Sequence, residues 1–410
     1  MLKNALDKNF SGDNIILVRA RNRATVFEII LRNPGICRRD IVARTGLAAG
    51  AVTDITRELI NEGFVNETDS APRESRVGRQ PIGLAVEENA VWAVGALIDR
   101  KTVTVGLCNL LGQLVFSKEA HGDFSSVENA QQTLTNLVKE ALDYASSANT
   151  TVIGMGVSIP GMVMRDSGAV RYSAILDWQD VMLAKRLEAE IPLSVVIDND
   201  VRGMALAQHW FREQPHADFL MVYLGQGIAC CPVQNGRIWA GSSGAAGQIG
   251  HTIIDPNGPE CVCGNKGCFE TVISVDRLME MMVEEMEQGA VCSASKEQLR
   301  KKEISTEIIC ALLEEGDEAA RNAFRRMSKY FGIGLSNLIK TYDPQALILA
   351  GDLFSRSKFA ADLVKREMYS YFLHQQISPD ILIDNDPYTR LIGSAAIALD
   401  YFVYRPASNT

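Results

Sequence analysis

The sequence predicts an α/β protein with a winged helix-turn-helix at its N-terminal end. Three observations predict it. Residues 14–67 hold three short amphipathic helices and then a strand, with Thr45-Gly46-Leu47 as the turn between the second and third helices. After residue 82, apolar strand-like runs alternate with helical ones, the pattern of an α/β body. Within that body, His251, Cys261, Cys263 and Cys268 form a compact ligand set with the spacing H-x9-C-x-C-x4-C.

The head is expected over residues 1–82. Its first helix runs from about Asn14 to Arg32, with Val26, Ile29 and Ile30 on the buried face, and Asn33-Pro34-Gly35 ends it. Arg38 to Arg44 is a short second helix carrying Ile41 and Val42. The third runs from Ala49 to Asn61, where Val52, Ile55 and Leu59 make one apolar stripe. Its other face offers Gly50, Thr53, Asp54, Thr56 and Arg57. That face suits a major groove, with Arg57 placed for a phosphate or a guanine. Asp54 opposes phosphate but can accept from a cytosine amino group. Gly63 to Glu67 is a strand leading into a wing at 70–81 that carries Arg73, Arg76 and Arg79. Arg79, in Gly78-Arg79-Gln80-Pro81, fits an extended arm entering a narrow minor groove.

Charge agrees with this division. Residues 1–82 hold 13 Lys/Arg against 10 Asp/Glu, while the remainder holds 28 against 40. A basic head on an acidic body makes double-stranded DNA the expected partner of the head alone. Three short helices and a hairpin also suit a protein-interaction module. At 410 residues, 47% hydrophobic and 22% charged, the chain has the composition of a soluble globular protein of two or three domains. No apolar run reaches the roughly 18 residues that span a bilayer, so no membrane insertion is expected. The first residues lack the apolar core of a signal peptide. Cys37, Cys108, Cys230, Cys231, Cys292 and Cys310 show no framework spacing. A cytoplasmic location is expected.

In the body, strands are expected at Val91–Ile98, Thr102–Asn109, Leu114–Ser117, Thr151–Ser158, Leu193–Asp198, Phe219–Leu224 and Ala346–Leu349, with a helix at Val127–Ser146. Several end on Pro160-Gly161, Asn199-Asp200, Gly225-Gln226-Gly227 or Ala350-Gly351-Asp352, the strand-end positions where α/β sheets bind ligands. Residues 288–305 read as a polar loop or helix edge, and no internal repeat is visible. Three thiolates and one imidazole at 251–268 complete a tetrahedral set for zinc, with no position left open for water. This predicts a structural Zn2+ rather than a hydrolytic one. A disulfide across Cys261 and Cys263 would be strained. Gly264 and Gly267 let the chain turn tightly around an ion.

GVSIPGMV at 156–163, DND at 198–200, GAAGQIGH at 244–251 and CVCGNKGCFE at 261–270 follow one another in the order characteristic of the ROK family of repressors and sugar kinases. The chain resembles that family from about residue 83 to 403 and, with its head, resembles the family's repressors. The resemblance implies a two-lobed actin-like (ribonuclease-H-like) body over 83–410. Its first lobe would be 83–200 plus a C-terminal helix at 390–403, and its second 201–389. It further implies a sugar held between the lobes by Asn199, Asp200, Gln248, His251 and Glu270. Carboxylates and amides suit vicinal hydroxyls. His251 would ligate zinc through one ring nitrogen and meet the sugar with the other.

Asp200 matches the catalytic base of kinase relatives, so it is expected as a vestige, with no catalytic residue in use. The family's first phosphate loop, D-x-G-G-T, is Leu97-Ile98-Asp99-Arg100-Lys101 here. The second, L-G-T-G-x-G-x-G, is Leu224 to Cys231, with Gln226, Ala229 and Cys231 at altered positions. The nucleoside loop, usually ending G-G-G, is Ala350-Gly351-Asp352. Arg202 stands where Asn is usual and Gln248 where Glu is usual. Side chains in place of glycines block backbone N–H groups from phosphate. The expectation is a non-enzymatic, sugar-responsive repressor of carbohydrate genes, a homodimer or homotetramer on a palindromic operator. Its effector would be a sugar or sugar phosphate, and a sugar-transport component is a further possible partner. The alternative is a sugar kinase with an appended DNA-binding head.

Overall fold

The computed structural model describes residues 15–69, 82–212, 216–242, 244–373 and 377–405. The wing segment with Arg73, Arg76 and Arg79 lies outside the described residues. The chain forms two compact units, Met1–Pro215 with Arg390–Thr410 and His216–Thr389. The units part at Pro215, not near residue 200. Helix Asp200–Phe211 runs straight on from a strand of the first unit and buries Val201, Met204, Leu206 and Trp210 there.

The head contains α1 (Ile15–Arg32), β1 (Ile36–Cys37), α2 (Arg38–Thr45), α3 (Ala49–Asn61), β2 (Val65–Asp69) and β3 (Ile82–Val86). The turn after α2 is closed by Gly46 in the left-handed region, and Thr45 donates from its hydroxyl to the Ile41 carbonyl. Val26, Phe27, Ile30, Ile41, Val52, Ile55, Leu59, Val65 and Leu84 are buried. Phe27 replaces the expected Ile29, which is only half-buried. The wing strands pair antiparallel from Val65↔Val86 to Asp69↔Ile82, and β1 joins β3 on its other edge. A two-residue strand is too short to show periodicity, so the sequence did not announce β1.

The rest of the first unit comprises β4 (Trp92–Ile98), β5 (Thr102–Cys108), β6 (Leu114–His121), α4 (Val127–Ser147), β7 (Val152–Ile159), β8 (Met162–Met164), β9 (Ala169–Ser173), β10 (Trp178–Val181), α5 (Leu183–Glu188), β11 (Val195–Asn199) and α6 (Asp200–Phe211). Its main sheet has the order β11-β7-β4-β5-β6. Pairs β4–β5 and β5–β6 are antiparallel, and β4–β7 and β7–β11 are parallel. The second unit comprises β12 (Phe219–Leu224), β13 (Ile228–Gln234), β14 (Arg237–Ile238), α7 (Phe269–Ile273), α8 (Val275–Glu287), α9 (Lys296–Arg300), α10 (Thr306–Glu315), α11 (Glu318–Tyr342), β15 (Ala346–Ala350), α12 (Asp352–Arg356), α13 (Lys358–Ser370) and β16 (Asp380–Ile383). Its sheet order, β14-β13-β12-β15-β16, repeats the first with the same senses of pairing. The body is thus a repeat of topology, although its sequence shows none. Helix α14 (Thr389–Leu399) and a π-turn at Asp400–Tyr404 bring the chain back to the first unit. No helix among the described residues is long and apolar enough to cross a membrane.

The head is seated on the first unit by one face of α1. Arg23 donates to the Val403 carbonyl (3.1 Å), Arg32 to the His209 carbonyl (2.6 Å), and Phe27 stacks on Tyr404 at 5.5 Å. Tyr404 also packs on Trp210 at 4.3 Å and donates to the Leu110 carbonyl. His209 is 5% exposed, and its Nε2 faces Arg405 at 2.9 Å and Glu28 at 3.6 Å. Burial, then the Arg405 and Arg32 charges, push its pKa down to about 3. The folded ring stays neutral while the unfolded one takes a proton below about pH 6.5, so stability is lost as pH falls from about 6.5 towards 3. Between pH 7 and pH 5 His209 is expected to remove about 2 kcal/mol. Urea unfolding at both pH values checks this: His209→Gln should lose that much less than the wild type.

Candidate functional sites

The candidate nucleic-acid interface is the outer side of α3. Asp54 and Arg57 are exposed there, and Arg57 pairs with Asp54 at 3.2 Å. The acid on this face is thus accompanied by a cation. Thr53 lies beside them and donates to the Ala49 carbonyl. Thr56 departs from the expectation. It is fully buried, accepts from Arg38 Nε at 2.9 Å and donates to the Thr53 carbonyl. Its place, one residue after Ile55 and three before Leu59, turns it toward the core. The expected contacts Arg76 and Arg79 lie outside the described residues.

The second cluster, at the start of α6, lies wholly in the first unit. Asn199 caps the helix, its Oδ1 accepting from Val201 N (3.0 Å) and Arg202 N (3.3 Å) while its Nδ2 donates to the Gly161 carbonyl (3.0 Å). One amide hydrogen remains for another partner. Asp200 is 4% exposed and accepts from Arg390 at 3.0 Å; the same guanidinium reaches Asp99 at 2.9 Å. Asp99, the acid in the altered phosphate loop, is therefore held by a cation. Arg202 is also committed, pairing with Asp198 at 3.1 Å in the interior, which places its charge in a structural ion pair. Arg390 was not legible as a site residue: it lies 190 residues from Asp200 and 291 from Asp99, with no motif around it.

The third cluster lies in the second unit, around the short helical turn Ile249–His251 and the N-terminus of α7. The ligand atoms of His251, Cys261, Cys263 and Cys268 all lie within 4.8 Å of one another, a group able to hold a metal ion. Cys261 Sγ is 3.5 Å from His251 Nδ1, and Cys263 Sγ is 3.6 Å from Cys268 Sγ. All four belong to one ordered loop, clasped by Ile254 N to the Gly267 carbonyl (2.8 Å) and Phe269 N to the Thr252 carbonyl (2.8 Å). Gly267, at φ +64°, lies so close to the Asp255 carbonyl that a Cβ would overlap it. Buried Phe269 anchors the loop's end against Phe331. Burial raises the Cys261 thiol to about 12 and also raises Cys268, whereas the Asn265 backbone N–H lowers Cys263. Glu270 Oε1 sits 3.2 Å from both His251 Nδ1 and Cys261 Sγ. Gln248, just before the turn, is exposed.

The altered nucleotide loops have structural uses. Gly225 and Gly227 close a tight β12–β13 hairpin, after which Ala229, Cys230 and Cys231 pair within the sheet and both cysteines are buried. Gly351 has φ +119°, and a Cβ there would overlap the Leu224 carbonyl. Its retention follows from packing alone.

Head, repeated sheets and thiol loop together define a winged helix-turn-helix on an actin-like body of kinase fold. The chain belongs to the ROK family, whose model matches residues 100–400, and a winged helix-turn-helix DNA-binding model matches residues 24–66. It is 28% identical over 350 residues to the N-acetylglucosamine repressor of Escherichia coli O157:H7, covering 84% of each chain. It is 26% identical over 392 residues to the xylose repressor of Bacillus subtilis, covering 94% of this chain and 97% of that one. Its fold is shared with a ROK family transcriptional regulator, a homologue of the E. coli MLC protein, at a TM-score of 0.81 and 22% identity, over 96% of this chain and 98% of the other.

Proposed function

We propose that the chain is a sugar-responsive transcriptional regulator, a repressor of carbohydrate uptake or metabolism genes. It binds a palindromic operator as a homodimer or homotetramer and releases it when a sugar or sugar phosphate binds the body. The observation that carries this reading is Arg390. A general base needs a carboxylate free to take a proton. Here the Asp200 carboxylate is bound to a guanidinium that also holds Asp99. That arrangement supports ligand binding without phosphoryl transfer, and relatives that match most of the chain are named as repressors.

Asn199, Asp200, Gln248, His251 and Glu270 are the proposed sugar contacts, and Thr53, Asp54, Arg57, Arg76 and Arg79 the proposed DNA contacts. The metal is proposed to be zinc. Bonds of about 2.3 Å to sulfur and about 2.0 Å to nitrogen at tetrahedral angles put ligand atoms roughly 3.5–3.8 Å apart. The pairs Cys261–His251 and Cys263–Cys268, at 3.5 and 3.6 Å, fit, and the whole set lies within 4.8 Å, a little wider than a closed tetrahedron. A cation there replaces the thiol protons that burial retains, and leaves His251 Nε2 for a hydroxyl.

The test is selection of duplexes from a random pool by the full chain, followed by competition with N-acetylglucosamine, xylose, glucose and their phosphates. A two-fold symmetric site, with half-sites about one helical turn or a multiple apart, is expected. One sugar class is expected to weaken binding tenfold or more. Absence of any selected sequence would reject the regulator. ATP-dependent sugar phosphorylation abolished by Asp200→Asn would establish the kinase instead.

A further inference from the structure

We infer that α6 is a coupling rod that ties the polar cluster at its N-terminus to the DNA-binding head at its C-terminus. The inference rests on the proposed function only for the meaning of the signal. The contacts themselves are independent of it.

The helix has 12 residues, about 18 Å at 1.5 Å per residue. At its start, Asn199 caps it and Asp198 and Asp200 flank the cap. At its end, the His209 carbonyl accepts from Arg32 of α1 at 2.6 Å, while the His209 ring meets Arg405 and Glu28. Trp210, the next residue, packs on Tyr404, which stacks on Phe27 of α1. A second strut runs alongside. Asp198 faces Arg165 at 3.8 Å, Arg165 reaches Asp400 at 3.4 Å, and Asp400 accepts from Trp210 Nε1 at 3.0 Å. Both routes begin beside Asn199 and converge on Trp210.

From there α1 reaches the recognition helix. Arg23 is bonded to Val403 on the body side and ion-paired with Glu62 just past α3, and Arg19 pairs with Glu58 within α3. Glu58 is the neighbour of Arg57, a proposed DNA contact. A change in the pitch or capping of α6 must therefore move a rigid α1 or break its seat, because packed elements shift between discrete arrangements. The buried Nδ1 of His209 has no hydrogen-bond partner among the described residues. Such an orphan weakens the joint at the point where movement would occur.

Hydrogen exchange of the full chain tests this without sugar or DNA. Asn199→Ala removes the cap of α6 and should raise amide exchange about fivefold both in α6 and in α1, leaving α11 of the second unit unchanged. Against Arg32→Gln alone, adding Asn199→Ala should raise exchange in α1 by less than half as much as it does in the wild type, the remainder passing through the Tyr404–Phe27 contact. Arg165→Gln, which loosens the second strut, gives the same readout where Asn199→Ala fails to fold. Faster exchange in α6 with α1 unaltered overturns the inference, and so does an α1 response that Arg32→Gln leaves intact. Because neither ligand enters the measurement, failure of the rod and failure of the regulator reading are separate results. Where both stand, Arg32→Gln should keep operator affinity within about threefold while reducing the sugar's effect on it by half or more.

Discussion

Cys268→Ser is expected to release the proposed zinc and to cost more stability than any single core truncation in the second unit. Structural zinc binding is coupled to folding, with apparent free energies of about 10–16 kcal/mol in small zinc peptides. In a unit with its own core the loss is smaller, because the sheet β12–β16 and helices α8, α11 and α13 bury apolar side chains without the metal. Local collapse of residues 249–270 is the expected result, with Phe269 pulled from its contact with Phe331. Elemental analysis should give one zinc per wild-type chain and none in the variant. Protease digestion should cut the variant first within 252–268. Wild-type protein prepared without chelators and containing no zinc would remove the metal from the account.

Arg390→Ala is the second large effect. The arginine is the shared partner of Asp99 and Asp200, whose side chains are 21% and 6% exposed. Removing one member of a buried ionic set leaves uncompensated charge and costs about 3–5 kcal/mol. Here the remaining carboxylates would also lose the cation that lies between them. The cost is expected to fall by half or more when Asp99→Asn and Asp200→Asn are added, because no buried charge is then stranded. Urea unfolding of the single and triple variants decides this. Equal destabilisation in both would show that Arg390 acts through packing of its stem rather than its charge.

Residues acting through local pattern were legible before the structure. The three head helices, the Gly46 turn and the strands at 92–98 and 219–224 are encoded by short-range periodicity and by turn residues, and they fall within a residue or two of their expected ends. The metal group was legible for the same reason, since all its ligands come from one loop. Thr56 was misplaced because a β-branched polar residue looks like a surface residue in a helical pattern, and only Arg38, 18 residues away, shows what it bonds. Arg390, Arg165, His209 and Asp400 were invisible as a set. Their partners lie up to 291 residues away, and a lone charged residue carries no local signal of its partner. The repeated sheet order was equally hidden, because burying a strand on both faces constrains hydropathy rather than identity.

The chain leaves the first unit after Pro215 and returns to it at Arg390. During synthesis, Tyr404, Arg405 and the guanidinium that joins Asp99 to Asp200 are therefore made only after the whole of the second unit. At about 5–20 residues per second, the head waits roughly 15–65 s on the ribosome before its seat is complete. Over that interval it is a tethered module that can already meet DNA, while the body that is to govern it is still incomplete. A polypeptide cut short before residue 390 would keep every residue of the recognition helix and His209, but would lose Val403 and Tyr404 from the surface that α1 rests on.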